Sequence, residues 1–339
     1  MHRSEITIDL GALRRNARRL RDVLGGSELW AVVKADAYGH GAIDVAGAVL
    51  AEGAKVLCVA TMAEALELRE AFPEARILVM GPTVGRELAL AREARIEVTV
   101  FDADVPEGVR VHLKLDTGMG RWGLSELPEL PPDVVGLMTH LATADSDPEF
   151  AGRQLERFEE ATKRYSHLVR HAANSAAALR LPEARLDAAR CGIALYGLSP
   201  FGGDPAEDGL EPVFRWESRL AQVKQLAPGE STGYGRRFAV ERPTWIGVVP
   251  IGYGDGFRRD MTGTEVAIDG QRRLVVGTIS MDAFAVELPE PLAVGTPVTL
   301  IGDGVLAEDH AAVAETINYE IVCRIDSSPR RARRSVLDA

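Results

Sequence analysis

The chain is poor in cysteine, in lysine and in long apolar runs. Its three cysteines, Cys58, Cys191 and Cys323, are odd in number and far apart, which argues against a disulfide framework and favours a cytoplasmic location. Every apolar run is shorter than the roughly 18 residues of a membrane helix, and the N-terminus lacks the apolar core of a signal peptide, so we expect no membrane association. With no C-x-x-C or H-E-x-x-H motif, we also expect no metal site.

The balance of charges argues against a nucleic-acid partner. Lys and Arg total 39 and Asp and Glu total 50, which gives a net charge of −11, whereas a broad nucleic-acid surface needs an excess of positive charge. Only five of the 39 basic residues are lysines, so each lysine is a stronger candidate for chemistry than usual. The 46% hydrophobic content and the 339 residues fit a globular protein with one large and one smaller domain.

Apolar runs that recur through the first two-thirds of the chain indicate parallel strands. The eight runs are Trp30–Val33, Val56–Val59, Ile77–Val79, Glu97–Val100, Val111–Leu115, Val134–Met138, Leu168–His171 and Arg185–Ala188. Most are separated by segments rich in Ala, Leu, Glu and Arg, such as Met62–Ala71, Arg86–Ala94 and Pro148–Arg164. Alternating strands and helices pair in parallel through right-handed crossovers. The pattern therefore predicts an α/β fold, a (β/α)8 TIM-like barrel, over residues 9–205.

One predicted crossover is too short for a helix. Residues 102–110 join the fourth and fifth runs, whereas a crossover that includes a helix needs about a dozen residues. Either this connection is a bare loop or one of the two strands is misplaced.

The composition changes after Ser199–Leu210, a segment rich in Gly, Pro and acidic residues that is typical of a linker. Beyond it, alternating and β-branched runs predict a mainly β C-terminal domain over residues 206–339. The predicted strands are Trp245–Ile251, Glu265–Ile268, Leu274–Ile279, Phe284–Leu288 and Thr296–Ile301, with a short helix at His310–Thr316. Residues 1–8 form an N-terminal segment that can join this β-domain.

The first predicted strand ends just before Lys34, in the sequence AVVKADAYGHG. Active sites of barrels lie at the carboxyl ends of the strands. A lysine that is partly desolvated there beside other cations can act as a Schiff-base nucleophile. A lysine at a strand end can also be merely structural, but the polar and aromatic residues crowded into the same loop favour the functional interpretation.

Polar side chains also follow four later strands. They are Lys114, Asp116 and Arg121 after the fifth, His140 after the sixth, His171, Asn174 and Ser175 after the seventh, and Arg190 after the eighth. His140 alone could be a packed core histidine, but five polar clusters at five strand ends are hard to explain by packing. The loops after the last two strands are where barrels commonly bind phosphate. There Ser175 offers a hydroxyl, and Gly192 and Ile193 offer backbone amides.

Two other motifs allow more than one interpretation. Gly118–Gly123 matches a dinucleotide fingerprint, but the prolines of LSELPELPPD exclude the helix that such a site requires, so we expect no nicotinamide cofactor. In the predicted β-domain, Tyr253 lies between glycines in PIGYGDGF, either as an exposed functional hydroxyl or as an ordinary turn tyrosine. Met281 and Asp282 lie at another strand end, in TISMDAF.

These motifs occur in the order found in alanine racemases, which are fold-type III pyridoxal-phosphate enzymes. The matching segments are AVVKADAYGHG, HLKLDTGMGRWG, THLATAD, HAANSAA, R-x-GIALYGLSP, GYGRRF, IGYGDGF and SMDAF. The resemblance covers nearly the whole chain, and it implies the same barrel and β-domain that the residue pattern predicts. It also implies a cofactor, pyridoxal 5'-phosphate, and a homodimer with shared active sites.

The resemblance assigns the central roles. Lys34 matches the lysine that holds pyridoxal phosphate covalently, and Tyr253 matches a second catalytic base that family members supply from the other subunit. Arg190 matches the arginine that faces the pyridine nitrogen, and His171 matches the histidine that supports this arginine.

The resemblance also assigns the surrounding residues. The other expected cofactor-binding residues are Tyr38, His140, Asn174, Ser175, Gly192 and Ile193. Arg121 and Met281 match substrate-binding positions, and Lys114 matches a lysine that some members carry as a carbamate.

The residue types suit racemisation of L-alanine and D-alanine. The cofactor delocalises the carbanion left when the α-proton is removed, and inversion needs proton exchange on both faces of a planar carbon, which Lys34 and Tyr253 can provide from opposite sides. An arginine can only donate a hydrogen bond, so Arg190 would keep the pyridine nitrogen unprotonated and limit transamination. The resemblance further implies that the D-alanine is used for cell-wall peptidoglycan.

One departure from the family keeps an alternative open. Members usually have a tyrosine after the final cysteine that narrows the entrance, but this chain reads CRIDSSPRR, with Ser327 nearest that position. A broad-specificity amino-acid racemase is therefore the nearest rival. A pyridoxal-phosphate carrier protein is a second rival, but such proteins lack the β-domain. A decarboxylase is disfavoured, because a carboxylate would then be expected in place of Arg190.

Overall fold

The computed structural model describes residues 2–338, which form two compact units. The barrel unit comprises Leu13–Phe201 and Asp208–Glu211. The β unit comprises the chain up to Ala12, the segment Gly202–Glu207, and the chain from Pro212 onward. Around residues 202–211 the chain thus passes from the barrel unit to the β unit, back to the barrel unit and again to the β unit. The predicted boundaries 1–8, 9–205 and 206–339 contain no such return. Within the described residues, no helix is long and apolar enough to cross a membrane.

The chain begins with strand β1 (Glu5–Asp9) and helix α1 (Leu10–Leu24), and eight parallel strands then close into a barrel. These strands are β2 (Glu28–Val32), β3 (Val56–Val59), β4 (Arg76–Val79), β5 (Glu97–Val100), β6 (Val111–Lys114), β7 (Val134–Met138), β8 (Val169–His171) and β9 (Ala188–Cys191). The barrel closes where β2 pairs with β9, with Ala31 opposite Cys191. The predicted (β/α)8 barrel is confirmed.

Short helices connect most of the barrel strands. They are α2 (Lys34–Gly39), α3 (Ala42–Ala51), α4 (Met62–Ala71), α5 (Arg86–Glu93), α6 (Pro148–Thr162) and α7 (Ser175–Arg180). Helix α4 begins with a capping box: the Thr61 side chain accepts from the Glu64 N–H, and the Glu64 side chain accepts from the Thr61 N–H.

Two neighbouring crossovers of the barrel unit contain no helix within the described chain. Residues 101–110 connect β5 to β6, and residues 115–133 connect β6 to β7. The short connection is therefore a bare loop, and both flanking strands lie where the sequence predicts them. In the second connection, Pro128, Pro131 and Pro132 cannot supply the backbone donors that a helix interior needs.

The eighth predicted strand, Arg185–Ala188, is wrong. The backbone there leaves a 3-10 turn at Pro182–Ala184 and passes through Leu186 with φ 46°, a left-handed conformation that a strand does not accept. The strand starts three residues later, as β9. Arg190 consequently lies inside the strand instead of in the loop after it.

The β unit is built on one nine-stranded sheet. Besides β1, its strands are β10 (Phe214–Arg219), β11 (Gln222–Leu226), β14 (Thr244–Val249), β15 (Glu265–Ile268), β16 (Gln271–Val276), β17 (Phe284–Leu288), β18 (Pro297–Ile301) and β19 (Arg333–Leu337). They pair in the order β11-β14-β17-β16-β15-β18-β10-β1-β19, and β12 (Ser231–Thr232) and β13 (Phe238–Ala239) form a separate pair. Strand β1 pairs antiparallel with β10 and parallel with β19. The predicted mainly β domain is confirmed.

Aromatic side chains fill the core of the β unit. Phe257 stacks on Phe284 with ring centroids 4.4 Å apart, and Trp216 lies 6.0 Å from Phe257. Two helices, α8 (Ala307–Val313) and α9 (Asn318–Cys323), follow β18. The predicted helix at His310–Thr316 overlaps α8 but is placed three residues too late, and α9 was not predicted.

Candidate active site

Lys34 opens a left-handed turn at the carboxyl end of β2. Residues Ala35–Tyr38 all have φ between 52° and 56°, a conformation that costs about 1–2 kcal/mol per L-residue. Hydrogen bonds hold the turn: the Ala35 N–H donates to Glu64 Oε1 at 2.7 Å, and Asp36 Oδ1 accepts from the Ala42 N–H at 2.7 Å. The strained loop therefore fixes where the half-buried Lys34 leaves the strand.

Four of the predicted phosphate-site residues meet after β8 and β9. Ser175 Oγ accepts from the Gly192 N–H at 3.0 Å. A Cβ on Gly192 would lie 2.6 Å from the Tyr38 hydroxyl oxygen, so only glycine allows this approach. The buried Ile193 follows directly. The structure thus brings two hydroxyls close to the Gly192 backbone, and hydroxyls and backbone amides are groups that can bind an anion.

Asn174 has a structural contact of its own. Its side-chain oxygen accepts from the Ala177 N–H at 3.0 Å and caps the first turn of α7. This contact does not bring the Asn174 side chain to the phosphate-site residues.

Arg190 is buried in the barrel and held by carbonyls and one imidazole. Its Nη1 donates to His171 Nδ1 at 2.7 Å and to the His171 carbonyl at 2.9 Å. Its Nη2 donates to the carbonyls of Thr139 and Ala172 at 2.8 and 3.1 Å, and lies 3.4 Å from His140 Nδ1. No carboxylate of residues 2–338 forms a salt bridge with Arg190. Burial lowers the pKa of Arg190 to about 10, so it stays cationic at neutral pH.

The positive charges of four predicted site residues lower the pKa of His140. Burial lowers the pKa of His140 to about 3, and the charges of Arg190, Lys114, Arg121 and Lys34 add to the effect in that order. His140 is therefore neutral at physiological pH. The cations around it make the site strongly electropositive, which suits a phosphate and a carboxylate.

Lys114 lies inside β6 and is only 3% exposed. Its Nζ lies 5.8 Å from the Phe101 ring centroid and 6.0 Å from that of Trp122, and the Arg121 guanidinium lies 5.2 Å from the Trp122 ring. Burial, Arg121 and Arg190 together lower the pKa of Lys114 to about 8, against the opposing charge of Asp116. About a tenth of this amine is therefore neutral at pH 7, far more than for an ordinary lysine.

The Asp116 side chain stabilises the loop that follows it. Its Oδ1 accepts from the backbone N–H groups of Gly118, Met119 and Gly120 at 2.8–3.1 Å. These bonds outweigh its partial burial and lower the pKa of Asp116 below its ordinary value. The loop that carries Arg121 is thereby fixed to the end of β6.

Two motifs of the β unit are brought together. The Tyr253 N–H donates to the Ser280 carbonyl at 3.1 Å, and the Gly254 N–H donates to the Met281 carbonyl at 2.8 Å. A Cβ on Gly252 would lie 2.2 Å from the Ser280 oxygen, so the glycine is required for this contact. Tyr253 is 45% exposed and Met281 is 51% exposed. The tyrosine side chain is thus presented on a turn rather than packed in the core, and its functional role stays a prediction.

The sequence reasoning missed two sets of residues that support the site. Glu64 ties the Lys34 loop to the start of α4. His112 and Glu97 hydrogen-bond in line behind His171. A signal for His112 was present, because it lies two residues before Lys114 in the same strand and so on the same face.

The described residues fit pyridoxal phosphate. The Gly192 cradle and its neighbouring hydroxyls suit the phosphate. The Nη1 and Nη2 groups of Arg190 are bonded to the protein, whereas no acceptor among residues 2–338 takes its Nε–H, which leaves one donor for a pyridine nitrogen. Lys34 supplies an amine at the mouth of the same barrel.

Comparisons with known proteins agree with this geometry. The family model for the alanine racemase N-terminal domain matches residues 8–200, and that for the C-terminal domain matches residues 213–334. The alanine racemase of Geobacillus stearothermophilus is 43% identical over 94% of this chain and 90% of its own length. The match to both domains argues against a carrier protein built from the barrel alone.

Solved structures give the same result. An alanine racemase from Streptomyces lavendulae superposes with a TM-score of 0.91 at 37% identity, covering 100% of this chain and 98% of that one. An alanine racemase from Streptomyces coelicolor gives 0.90 at 40% identity, covering 99% and 98%. The chain therefore belongs to the alanine racemase family and is a pyridoxal-phosphate-dependent isomerase that interconverts L- and D-alanine.

Proposed function

We propose that Lys34 and Tyr253 are the two bases of this racemisation. Each would hold or accept the α-proton on one face of the substrate carbon, Lys34 through Nζ and Tyr253 through its hydroxyl oxygen. Pyridoxal phosphate, when bound, delocalises the electron pair left at the α-carbon. The strained loop at Lys34 and the rigid turn at Tyr253 support this assignment, because both fix the position of a reactive atom.

The observation that carries the proposal is the environment of Arg190. It is a buried cation without a carboxylate partner among the described residues, and its Nη groups are fully engaged. Such a group donates a hydrogen bond and cannot receive one. Opposite the pyridine nitrogen, it would leave that nitrogen unprotonated and favour return of the proton to the α-carbon over transamination.

Ser175, Tyr38 and the amides of Gly192 and Ile193 would bind the phosphate. Arg121 and Met281 would contribute to substrate binding. The neutral fraction of Lys114 can attack carbon dioxide, forming an N–C bond and releasing a proton, to give a carbamate that pairs with Arg121. The low pKa of Lys114 and its proximity to Arg121 support this step.

We also propose a homodimer in which Tyr253 of one subunit completes the site that contains Lys34 of the other. The exposure of Tyr253 and Met281 supports this arrangement, since a second chain can cover them. The use of D-alanine for peptidoglycan stays a prediction from the family resemblance.

The test of the Arg190 assignment is the variant Arg190→Glu. A carboxylate at this position favours protonation of the pyridine nitrogen, so racemisation should slow and transamination should rise. Chiral chromatography of alanine measures the first reaction, and pyruvate release measures the second. An unchanged ratio of the two products in a folded variant that binds the cofactor would contradict the assignment.

A further inference from the structure

A line of hydrogen bonds runs from Arg190 through the barrel interior to Glu97. His171 Nε2 lies 2.9 Å from His112 Nδ1, and His112 Nε2 lies 2.8 Å from Glu97 Oε2. All four residues are at most 3% exposed. Barrel interiors are usually filled by branched apolar side chains, so a buried polar line of this length requires a reason.

The chemistry of the two ends fixes the direction of every bond. Arg190 can only donate, so His171 Nδ1 must be unprotonated where Arg190 Nη1 meets it at 2.7 Å. The neutral His171 then carries its proton on Nε2 and donates to His112 Nδ1. His112 in turn carries its proton on Nε2 and donates to Glu97, whose ionised carboxylate only accepts.

Glu97 is held ionised by two arginines at the start of neighbouring strands. Arg76 donates to it from Nε and Nη2 at 3.1 Å each, and Arg110 donates from Nε at 3.1 Å. Burial alone would raise the pKa of Glu97, but the hydrogen bonds from His112 and Arg76 hold it well below its usual range. Glu97 therefore cannot reverse the line by donating a proton.

The two histidines are neutral and tightly packed. Burial, together with the charge of Arg190, lowers the pKa of His171 well below its ordinary value, and burial also lowers the pKa of His112. The Trp30 ring lies 4.5 Å from His171 and 5.4 Å from His112. A Cβ on Gly136 would lie 2.2 Å from His112 Nδ1, so this ring position depends on a glycine beside it.

We propose that Glu97 is a positioning residue of the active site, which acts through His112 and His171 to fix the histidine tautomer that holds Arg190. With the other tautomer, a His171 Nδ1–H would face the Arg190 Nη1–H, and the guanidinium would have to move. A carboxylate behind a donating imidazole also makes the opposite ring nitrogen a better acceptor. The catalytic part of this inference rests on the proposed role of Arg190, whereas the tautomers do not.

The direct test is ¹⁵N NMR of the histidines in the cofactor-loaded enzyme, assigned with single His→Gln variants of its seven histidines. We expect His171 and His112 each to be protonated on Nε2. Detection of a proton on His171 Nδ1 in the wild-type enzyme would overturn the proposal.

The second test is Glu97→Gln, with Glu28→Gln as its control. Glu28 belongs to the same ion cluster, 3.9 Å from Arg76, but bonds to Trp30 Nε1 and to no histidine of the described chain. An amide can donate as well as accept, so Glu97→Gln should produce a detectable Nδ1–H form of His112. We expect kcat to fall about tenfold, the lower end of the effect of removing a carboxylate behind a metal-binding histidine, and the Kd of pyridoxal phosphate to rise. Glu28→Gln should change none of these.

The possible results distinguish the effect of Glu97 on the histidine tautomers from its effect on catalysis and cofactor binding. Unchanged tautomers in a folded Glu97→Gln enzyme would overturn the control by Glu97. Altered tautomers with unchanged kcat and cofactor Kd would overturn the positioning role, and unchanged product ratios in Arg190→Glu would trace that failure to Arg190. Altered tautomers with lower kcat and weaker cofactor binding would support the whole proposal.

Discussion

The two units of this protein differ in how deeply they bury the candidate site residues around the proposed bases. In the barrel unit, Lys114, His171 and Arg190 are at most 3% exposed, and a hydrogen bond joins Arg190 to His171. In the β unit, Tyr253 and Met281 are about half exposed, at 45% and 51%. The barrel part of the site is thus preorganised by its own chain. The β part is a turn whose tyrosine side chain is half exposed, which leaves room for the second subunit of the proposed dimer.

The two units also differ in what their buried histidines are hydrogen-bonded to. In the barrel unit, His171 and His112 form part of a line that ends at a candidate cofactor ligand. In the β unit, His310 Nε2 donates to the Leu300 carbonyl at 2.6 Å and His310 Nδ1 accepts from the Thr264 hydroxyl at 2.6 Å, and neither partner is a candidate site residue. Burial of a titratable group therefore indicates function only when its hydrogen bonds lead to a site.

The largest expected effect tests the barrel part alone. Lys34→Ala removes both the covalent attachment point and one base, so racemase activity should fall to background. Borohydride reduction of the cofactor-loaded enzyme followed by peptide mass spectrometry should find no modified lysine. Lys55→Ala, at another lysine of the same unit, should retain activity and the adduct. A lysine adduct that persisted in Lys34→Ala would refute the assignment.

The next effect tests the exposed part. Tyr253→Phe removes only the hydroxyl, so cofactor binding should be retained while racemisation falls by about 10²–10⁴-fold, the range for one general base. Lys34 should still exchange the α-hydrogen of one enantiomer, which by family resemblance is D-alanine. Deuterium uptake into each enantiomer, followed by mass spectrometry, measures this asymmetry. Tyr234→Phe, at a tyrosine that is also exposed in the β unit, is the matched control.

Mixing the two inactive variants tests whether the site is shared. In a mixed dimer of Lys34→Ala and Tyr253→Phe subunits, one of the two sites would contain both bases. Equal amounts with full subunit exchange should restore about a quarter of wild-type activity, since half the dimers are mixed and each has one intact site. If Tyr253 acts within its own chain, every site lacks one base. No recovery after verified exchange would exclude the shared site.

A smaller effect is expected at Lys114, whose pKa is lowered by burial and by Arg121 and Arg190. Because the pKa of Lys114 is lowered to about 8, its neutral amine increases as the pH rises through that value. With ¹³C-bicarbonate, a carbamate resonance should therefore grow from pH 7 to 9, and it should be absent in Lys114→Met but present in Lys163→Met, at an exposed lysine. We expect Lys114→Met to lower kcat/KM about tenfold, in line with loss of a supporting group. A resonance that persists in Lys114→Met would contradict the carbamate.

The sequence predicted more of the barrel than of its interior. Apolar runs located seven of the eight strands, and Met62–Ala71 matches α4 at both ends. The eighth strand was misplaced because its apolar run, Arg185–Ala188, includes a left-handed Leu186, which a run of apolar residues does not reveal. Glu97 and Arg76 were missed for another reason. They lie at the starts of strands, away from the usual catalytic end, and come together with His112 only when β4, β5 and β6 pair side by side.

The sequence predicted which residues belong to the site better than it predicted their contacts. Lys34, His140 and Arg190 were identified from motifs at strand ends, and the structure places Lys34 and Arg190 where their charges lower the pKa of His140. The role of Asn174 as a helix cap depends on where α7 begins, which the motif HAANSAA alone does not specify. Contacts between residues distant in sequence set the tautomers and the pKa values, and no local pattern records them.

The smallest expected effect tests whether His310 is only structural. Burial lowers the pKa of His310 from 6.5 to about 4, so between these values the unfolded chain binds a proton that the folded β unit does not. Folded-state stability is then highest above pH 6.5 and falls as the pH drops to about 4, by at most about 3 kcal/mol from this residue. Hydrogen exchange of the β15 and β18 amides from pH 7 to 4 should show this slope, and His310→Gln should flatten it in the β unit.

His140, whose pKa is lowered to about 3, should keep a similar slope in the barrel unit of the same variant. His167→Gln, at an exposed histidine, should alter neither slope. Lost racemase activity in a folded His310→Gln enzyme would show instead that the buried histidine of the β unit serves the site, and the contrast between the two units would fail.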